Sequence, residues 1–373
     1  MAEGPEDLAA YDGTPASLPE HIVGEEALYF SSLKCRKGVS HKGSVQSYCL
    51  NLLKNTVILA DELATGKYKE GPVREIPIYF PKPRTALAIG FKDRSFQRSM
   101  NDNSLYPQMI PHFIYANYAC QKGKGTDAAR QAFARMLHNA YLKYGSNEFL
   151  ILSADVQHYY DSMVHSITED MFRKYLDEWT YENVVRTLNT QYKGDVGYKP
   201  GSQMVQIAGI AYLDPLDHYI KETLRRRYYV RYMDDFHIIG LDYRELEWIW
   251  GEVDYKLNTL GMHTHPDKTA IHRAKDGVVF LGFVFRVTET GKVLMYRAPE
   301  KVKDARRRMR RLANKIMKDP TYSEADLDAS YQSVMACMEK GNSKRQIRTF
   351  RKFYYDLKKE VRNAIDKANA SPK

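Results

Sequence analysis

The tetrad Tyr232-Met233-Asp234-Asp235 sits between two runs of β-branched and aromatic residues. Val230-Arg231 precedes it and Phe236-His237-Ile238-Ile239 follows it. Apolar runs on either side of a tight polar bend predict a β-hairpin whose tip presents acid. Adjacent aspartates repel each other, and the repulsion costs stability unless a positive charge neutralises them. A bound divalent cation does so, and hard carboxylate oxygens suit Mg2+ or Mn2+. The plainer reading of the pair is a solvated polar turn.

A further carboxylate stands upstream in a fitting context. Phe149-Leu150-Ile151-Leu152-Ser153-Ala154 reads as a buried strand and runs into Asp155. An aspartate leaving such a strand can meet a hairpin tip from a neighbouring one. Carboxylates gathered in this way, with substrate phosphates, hold two metal ions: one activates an attacking 3′-hydroxyl and the other stabilises leaving pyrophosphate. Taken alone, Asp155 also reads as a helix N-cap, since Ser166-Ile167-Thr168-Glu169-Asp170 follows soon after.

Composition points the same way. Lys and Arg number 56 against 46 Asp and Glu, a net charge of +10 over 373 residues. That length predicts at least two lobes with a sizeable core. The basic surplus predicts a polyanionic partner held through phosphate contacts. No apolar run approaches the ~18 residues of a membrane span, and the first residues lack a signal-peptide pattern. Cys35, Cys49, Cys120 and Cys337 form no CxxC pair, so neither a zinc site nor a disulfide framework is expected. The expected compartment is a reducing cytoplasm.

Along the chain, residues 1–20 form an acidic arm with Glu3, Glu6, Asp7, Asp12 and Glu20 and no Lys or Arg. Residues 21–70 read as a helical extension. Gly71 to Gly90 reads as strands edged by prolines. Helices are expected over Asp127–Tyr144, capped by Thr126 or Asp127, over Ile207–Leu224 and over Tyr243–Leu260. Val278–Phe285 and Lys292–Tyr296 are expected to pair across Thr288–Gly291. Pro299–Lys318 carries nine basic residues and an apolar stripe of Val302, Met309, Leu312 and Ile316. That pattern suits a helix lying along a nucleic-acid backbone, or a solvated face. Ser330–Lys359 continues as helices whose interleaved Phe350, Phe353, Tyr354 and Tyr355 serve either base contact or core packing. About 55 residues follow Lys318, too few for an added endonuclease or ribonuclease H domain. The tail over 367–373 is expected to be flexible.

In order, Pro81-Lys82-Pro83-Arg84, Gly90-Phe91-Lys92-Asp93-Arg94-Ser95-Phe96-Gln97, Tyr118 to Asp127, Asp155 with Tyr159-Tyr160, Gly201 to Gln206, Tyr232 to Asp235, Leu260 to Thr269 and Phe280-Leu281-Gly282-Phe283 resemble the motifs of bacterial retroelement-type reverse transcriptases. The resemblance runs from about Gly71 to about Tyr331. It implies an α/β right-hand polymerase, with fingers and palm over 71–298 and a helical thumb over 299–366. It implies that Asp155, Asp234 and Asp235, with the backbone carbonyl of Val156, would hold two Mg2+ or Mn2+ ions. Lys268 would protonate or neutralise pyrophosphate. Arg84, with Lys82 and Arg94, would contact the incoming triphosphate, since a planar guanidinium matches phosphate geometry. Tyr160 would exclude a ribose 2′-hydroxyl. Gly201 and Gln206 match the second palm motif, which packs under the templating base and the incoming nucleotide. For Lys82, Arg94 and Lys268 the plainer reading is solvated surface charge, and for Tyr160 it is a core aromatic.

That motif also departs from the family pattern, with Val205 where serine belongs and Pro200 before the glycine. The reading that follows is an RNA-directed DNA polymerase using dNTPs, within a bacterial antiphage defence system with a partner noncoding RNA. A second reverse transcriptase or accessory protein is a further expected partner, as is a second copy of the chain. The near alternatives are a diversity-generating or retron reverse transcriptase. The altered motif raises another, a template-independent, protein-directed polymerase making repetitive DNA. An RNA-dependent RNA polymerase and a non-catalytic RNA-binding scaffold are more distant readings, opposed by Tyr160 and by the intact aspartates.

Overall fold

The structure is a computed structural model that describes residues 19–79, 83–319 and 321–370, with side chains through residue 366. The described residues mix helix and strand up to β9 and are helical beyond it. The first elements are α1 (Glu20–Val23), α2 (Glu25–Arg36), α3 (Gly43–Leu50) and α4 (Leu52–Ala64), then β1 (Arg74–Ile78) and β2 (Arg84–Ala88). Next come α5 (Phe91–Met100), a π turn over Asn101–Leu105, α6 (Tyr106–Met109), α7 (Thr126–Tyr144) and β3 (Leu150–Asp155). The middle of the chain holds α8 (His165–Tyr175), α9 (Glu178–Gln191), α10 (Gln203–Tyr212) and α11 (Asp214–His218). Then follow β4 (Tyr229–Tyr232), β5 (Asp235–Gly240), α12 (Tyr243–Asn258) and β6 (Ala270–Arg273). The chain closes with β7 (Val278–Phe280), β8 (Phe283–Val287), β9 (Val293–Arg297), α13 (Pro299–Ile316), α14 (Glu324–Met338) and α15 (Lys344–Ala370). Most of the acidic arm, Lys82 in the β1–β2 loop, and residues 371–373 of the tail lie outside the described residues.

The chain divides into two units. The first takes residues up to Phe113 together with Tyr160–Tyr212. Its helices α2 and α5 pack through Leu28, Phe96 and Met100, all without solvent exposure. The Ser99 hydroxyl donates to the Ile22 carbonyl at 2.6 Å and ties α1 to α5. Asp102, in the π turn, accepts from Lys34 Nζ at 2.8 Å and Arg98 Nε at 2.9 Å. β1 and β2 pair antiparallel from Arg74–Ala88 to Ile78–Arg84.

The second unit takes Ile114–Tyr159 and the chain from Leu213 onward. Its centre is a four-stranded sheet in the order β4-β5-β3-β6, antiparallel throughout. One face buries Ile151, Val230 and Ile239 against Phe133 and Leu137 of α7 and against Phe280, Phe283 and Phe285. These phenylalanines belong to a second, three-stranded sheet, β7-β8-β9. Helices α13, α14 and α15 form their own core of Met309, Leu327, Phe350 and Val361. The Asn342 side chain accepts from Met295 N at 2.9 Å, fastening the α14–α15 loop to β9.

Three expectations change. The helix expected over Ile207–Leu224 is broken into α10, α11 and a π turn over Tyr219–Thr223. Pro215 stands in the first turn of α11, where a missing N–H costs nothing, but it cannot continue the preceding helix. The strand expected over Val278–Phe285 is a hairpin in itself. Leu281 and Gly282 both take positive φ, 47° and 77°, as a two-residue turn requires. The N-cap of α7 is Gly125, with no side-chain cap. Among the interleaved aromatics, Phe350 and Tyr354 are buried and Tyr354 stacks on Tyr331 at 3.9 Å, whereas Tyr355 is exposed. Among the described residues no helix is long and apolar enough to cross a membrane.

Candidate active site

β4 and β5 form the acid-tipped hairpin of the second unit. Tyr232 pairs with Asp235, which leaves only Met233 and Asp234 in the turn. Met233 takes a φ of 58°, a left-handed conformation that a non-glycine residue keeps only where its surroundings hold it. Arg231 does the holding. Its Nη1 donates to the Met233 carbonyl at 2.9 Å, while Nε and Nη2 grip the Asp217 carboxylate of α11 at 2.7 and 2.5 Å. The Tyr229 hydroxyl donates to the same carboxylate at 2.6 Å. Both ends of the ion pair are fully buried. The backbone of Arg231 is fixed as well, accepting from Tyr118 N and donating to Ala116 O, each at 3.0 Å.

β3 brings the other aspartate. The β3–β5 register sets Asp155 opposite Asp235, so the two side chains are cross-strand neighbours. Val156 N donates to the Asp234 carbonyl at 3.2 Å, and His265 N donates to the Asp155 carbonyl at 2.7 Å. The Lys268 ammonium, arriving from the segment after α12, donates to Asp155 Oδ1. Asp155, Val156, Asp234, Asp235 and Lys268 therefore meet at one end of the sheet.

The centre is short of positive charge. Burial first, then the Asp155 charge, raises the Asp234 carboxyl above its usual range. Burial, Asp155 and Asp234 together push Asp235 well above the carboxylate range, and Lys268 opposes this only in part. His237 adds no cation. Its ring is buried between Phe133 and Phe280, each at 4.7 Å. Burial, aided by His272, lowers its pKa to about 3. Among the described residues no group of three or more His, Cys, Asp or Glu side chains is gathered to hold one metal ion; the Asp155 carboxylate is instead paired with Lys268. The available donors, three carboxylates and the Val156 carbonyl, are all hard oxygens of the kind Mg2+ and Mn2+ take.

The other described residues of the sequence-derived site belong to the first unit. Arg94, Gly201 and Gln206 line one cleft. Arg84 opens β2 and is exposed. Tyr160 lies in the turn over Tyr159–Ser162 before α8, and its carbonyl accepts from Tyr198 N at 2.8 Å. Gly201 has a packing reason for its identity, because a Cβ there would stand 2.5 Å from the Leu87 carbonyl oxygen of β2. Val205 is fully buried.

Two groups of residues escaped sequence reading. The Arg231–Asp217 pair had a signal, an arginine inside an otherwise apolar strand run, since a buried charge demands a partner. The lysines of the α2–α3 region had none, because they reach α5, and Gln97 of the fingers motif, only through the packing of α2 on α5.

No protein-family model matches the chain, and no curated protein matches it. Among solved structures it is similar to telomerase from Candida albicans, in complex with a fragment of telomeric RNA. The two share 11% identity over 86% of this chain and 66% of that one, with a TM-score of 0.46.

Proposed function

We propose that the chain is a right-hand polymerase of the reverse transcriptase kind, adding dNMP units to a 3′-hydroxyl on an RNA template. The observation that carries this reading is the β3–β5 register, which sets Asp155 opposite Asp235 beside the Asp234 turn. The division proposed is a helical extension over 21–70, fingers and palm over 71–298, and a thumb over 299–366.

Asp155, Asp234, Asp235 and the Val156 carbonyl would hold Mg2+ or Mn2+. Bound there, the ions would supply hydroxyl activation and charge stabilisation of the leaving pyrophosphate. Lys268, paired to Asp155 in this structure, would neutralise or protonate pyrophosphate. Arg84, Arg94 and Lys82 are proposed to take the triphosphate, and Tyr160 to reject a 2′-hydroxyl. Gly201 and Gln206 are proposed to support the paired bases. Helix α13 buries Val302, Met309 and Ile316 and turns Arg307, Arg310 and Arg311 outward, a face suited to a phosphate backbone.

The complete burial of Val205 gives that departure from serine a packing role. The biological setting proposed is antiphage defence in the cytoplasm with a noncoding RNA, and with a second reverse transcriptase, an accessory protein or a second copy as partner. Diversity-generating and retron roles stand beside it. The test is to sequence the RNA and DNA that co-purify with the chain from its host, beside the Asp234→Asn, Asp235→Asn variant. DNA complementary to one bound RNA, and absent from the variant, is expected. Simple-repeat DNA without a complementary RNA would contradict the templated reading.

A further inference from the structure

Helix α12 has a buried side and an exposed side. Leu246, Ile249, Val253 and Leu257 are buried. Around the other side run Arg244, Trp248, Gly251, Tyr255 and Asn258, all exposed. Their alternating spacing of four and three residues is that of a coiled-coil seam. Leu241, Trp248 and Tyr255 recur every seventh residue, and each is more than half exposed. Large apolar side chains aligned on one exposed face mark an interaction surface. A Cβ added at Gly251 would meet no atom within 4 Å, so the seam has a hole between two aromatic knobs.

The positions flanking this seam are Glu245, Glu247, Glu252 and Asp254, all acidic. Arg226 pairs with Glu245. Glu252 accepts from the Tyr219 hydroxyl, and Asp254 from Thr264 N at 2.9 Å. Among the described residues Glu247, Glu252 and Asp254 have no ion-pair partner. Two copies of this face laid together would set acid against acid along both flanks, and such pairs repel. The face therefore calls for a helix that brings positive charge. The chain itself carries one. Along α15, Arg345, Arg348, Lys352, Tyr355 and Lys359 are exposed at alternating spacings of three and four. Phe350, Tyr354, Leu357 and Val361 of the same helix are buried. Arg345, Arg348, Lys352 and Lys359 have no ion-pair partner among the described residues.

We propose that α12 of one copy docks on α15 of a second copy, with Tyr355 filling the hole at Gly251. Both faces are exposed within a single chain, so the pairing joins different copies. The stems of the α15 cations would cover Trp248 and Tyr255, and their charges would lie over the rings and against the acidic flanks. The contact uses two different surfaces, so it builds a ring where the rotation closes and an open chain where it does not. Nothing in it rests on the polymerase reading, and the phosphate-facing cations of α13 take no part.

The test is sedimentation velocity of the nuclease-treated full chain at tens of micromolar. Wild type should sediment as an assembly larger than a monomer and dissociate in molar salt. Trp248→Ala should weaken association about thirtyfold, as loss of a central aromatic anchor does. Gly251→Leu should also weaken it, yet melt at the same temperature or higher, since leucine favours helix more than glycine does. Glu247→Lys with Glu252→Lys should give a monomer, and so should Lys352→Glu with Lys359→Glu. All four changes in one chain should restore the assembly. A wild type that is monomeric under these conditions overturns the proposal, and so does a chain with all four changes that associates no better than either pair. Lost RNA binding in Lys352→Glu, Lys359→Glu with unchanged sedimentation would assign the α15 face to nucleic acid and overturn it as well. Assembly that responds to these substitutions in a chain that incorporates no nucleotide would support this proposal and reject the polymerase reading.

Discussion

Replacing Arg231 with methionine tests what holds the acid-tipped hairpin. The substitution removes two charge-assisted contacts to Asp217, at 2.7 and 2.5 Å, and the 2.9 Å contact to the Met233 carbonyl. Asp217 is then left fully buried, with the Tyr229 hydroxyl as a remaining donor. Breaking a buried pair from one side typically costs about 3–5 kcal/mol, because a charge is stranded without solvent. Replacing both partners with apolar residues of similar size is close to neutral. Urea unfolding followed by circular dichroism, with hydrogen exchange over β4 and β5, should show Arg231→Met losing about 3–5 kcal/mol. Adding Asp217→Leu should recover most of that loss. Nucleotide incorporation should stay low in the double variant, because the Met233 carbonyl still lacks its donor and the tip is free to relax. A single variant within about 1 kcal/mol of wild type, or a fully active double variant, would refute the reasoning.

Other outcomes follow from the same geometry. Gly201→Ala forces a Cβ to 2.5 Å from the Leu87 carbonyl oxygen and should destabilise the first unit by about 1–3 kcal/mol, read as a lower melting temperature. Asp102 is raised by burial, but hydrogen bonds from Lys34 and Arg98 outweigh that and hold it below its ordinary 3.8. Its stabilisation is therefore present above pH 3.8 and fades as pH falls further. Asp102→Asn should melt lower than wild type at neutral pH, and the two should converge in acid. Tyr160→Ala should raise ribonucleotide use relative to deoxynucleotide use by about tenfold, measured as the ratio of the two kcat/KM values.

The hairpin and its partner strand were legible because short runs of β-branched and aromatic residues and a polar bend are local signals. Ile238 and Ile239 are adjacent and both buried, as in a strand covered on both faces. The strand pairing of Asp155 with Asp235 was expected only as a meeting of ends, since register depends on the packing of α7 and α12 and not on either segment alone. The break at Pro215 was visible in the sequence, but the apolar run around it read as continuous helix. β6, α8 and α9 carry weaker patterns and were not anticipated. Val205 looked like a change in chemistry from its motif position, yet its burial makes it a change in core packing. The cleft around Gln97 was legible only in part: Gln97, Arg94 and Gly201–Gln206 fall in sequence motifs, whereas Lys37, Lys42 and Arg74 join them only in the fold.

The most direct test of the account is extension of a primed RNA template by the purified chain with labelled dNTPs and Mg2+, beside Asp234→Asn. The account predicts template-length DNA from the wild type, abolished by chelation and by the substitution. Undiminished synthesis by Asp234→Asn, or none by a folded wild type given template, primer and metal, would contradict it.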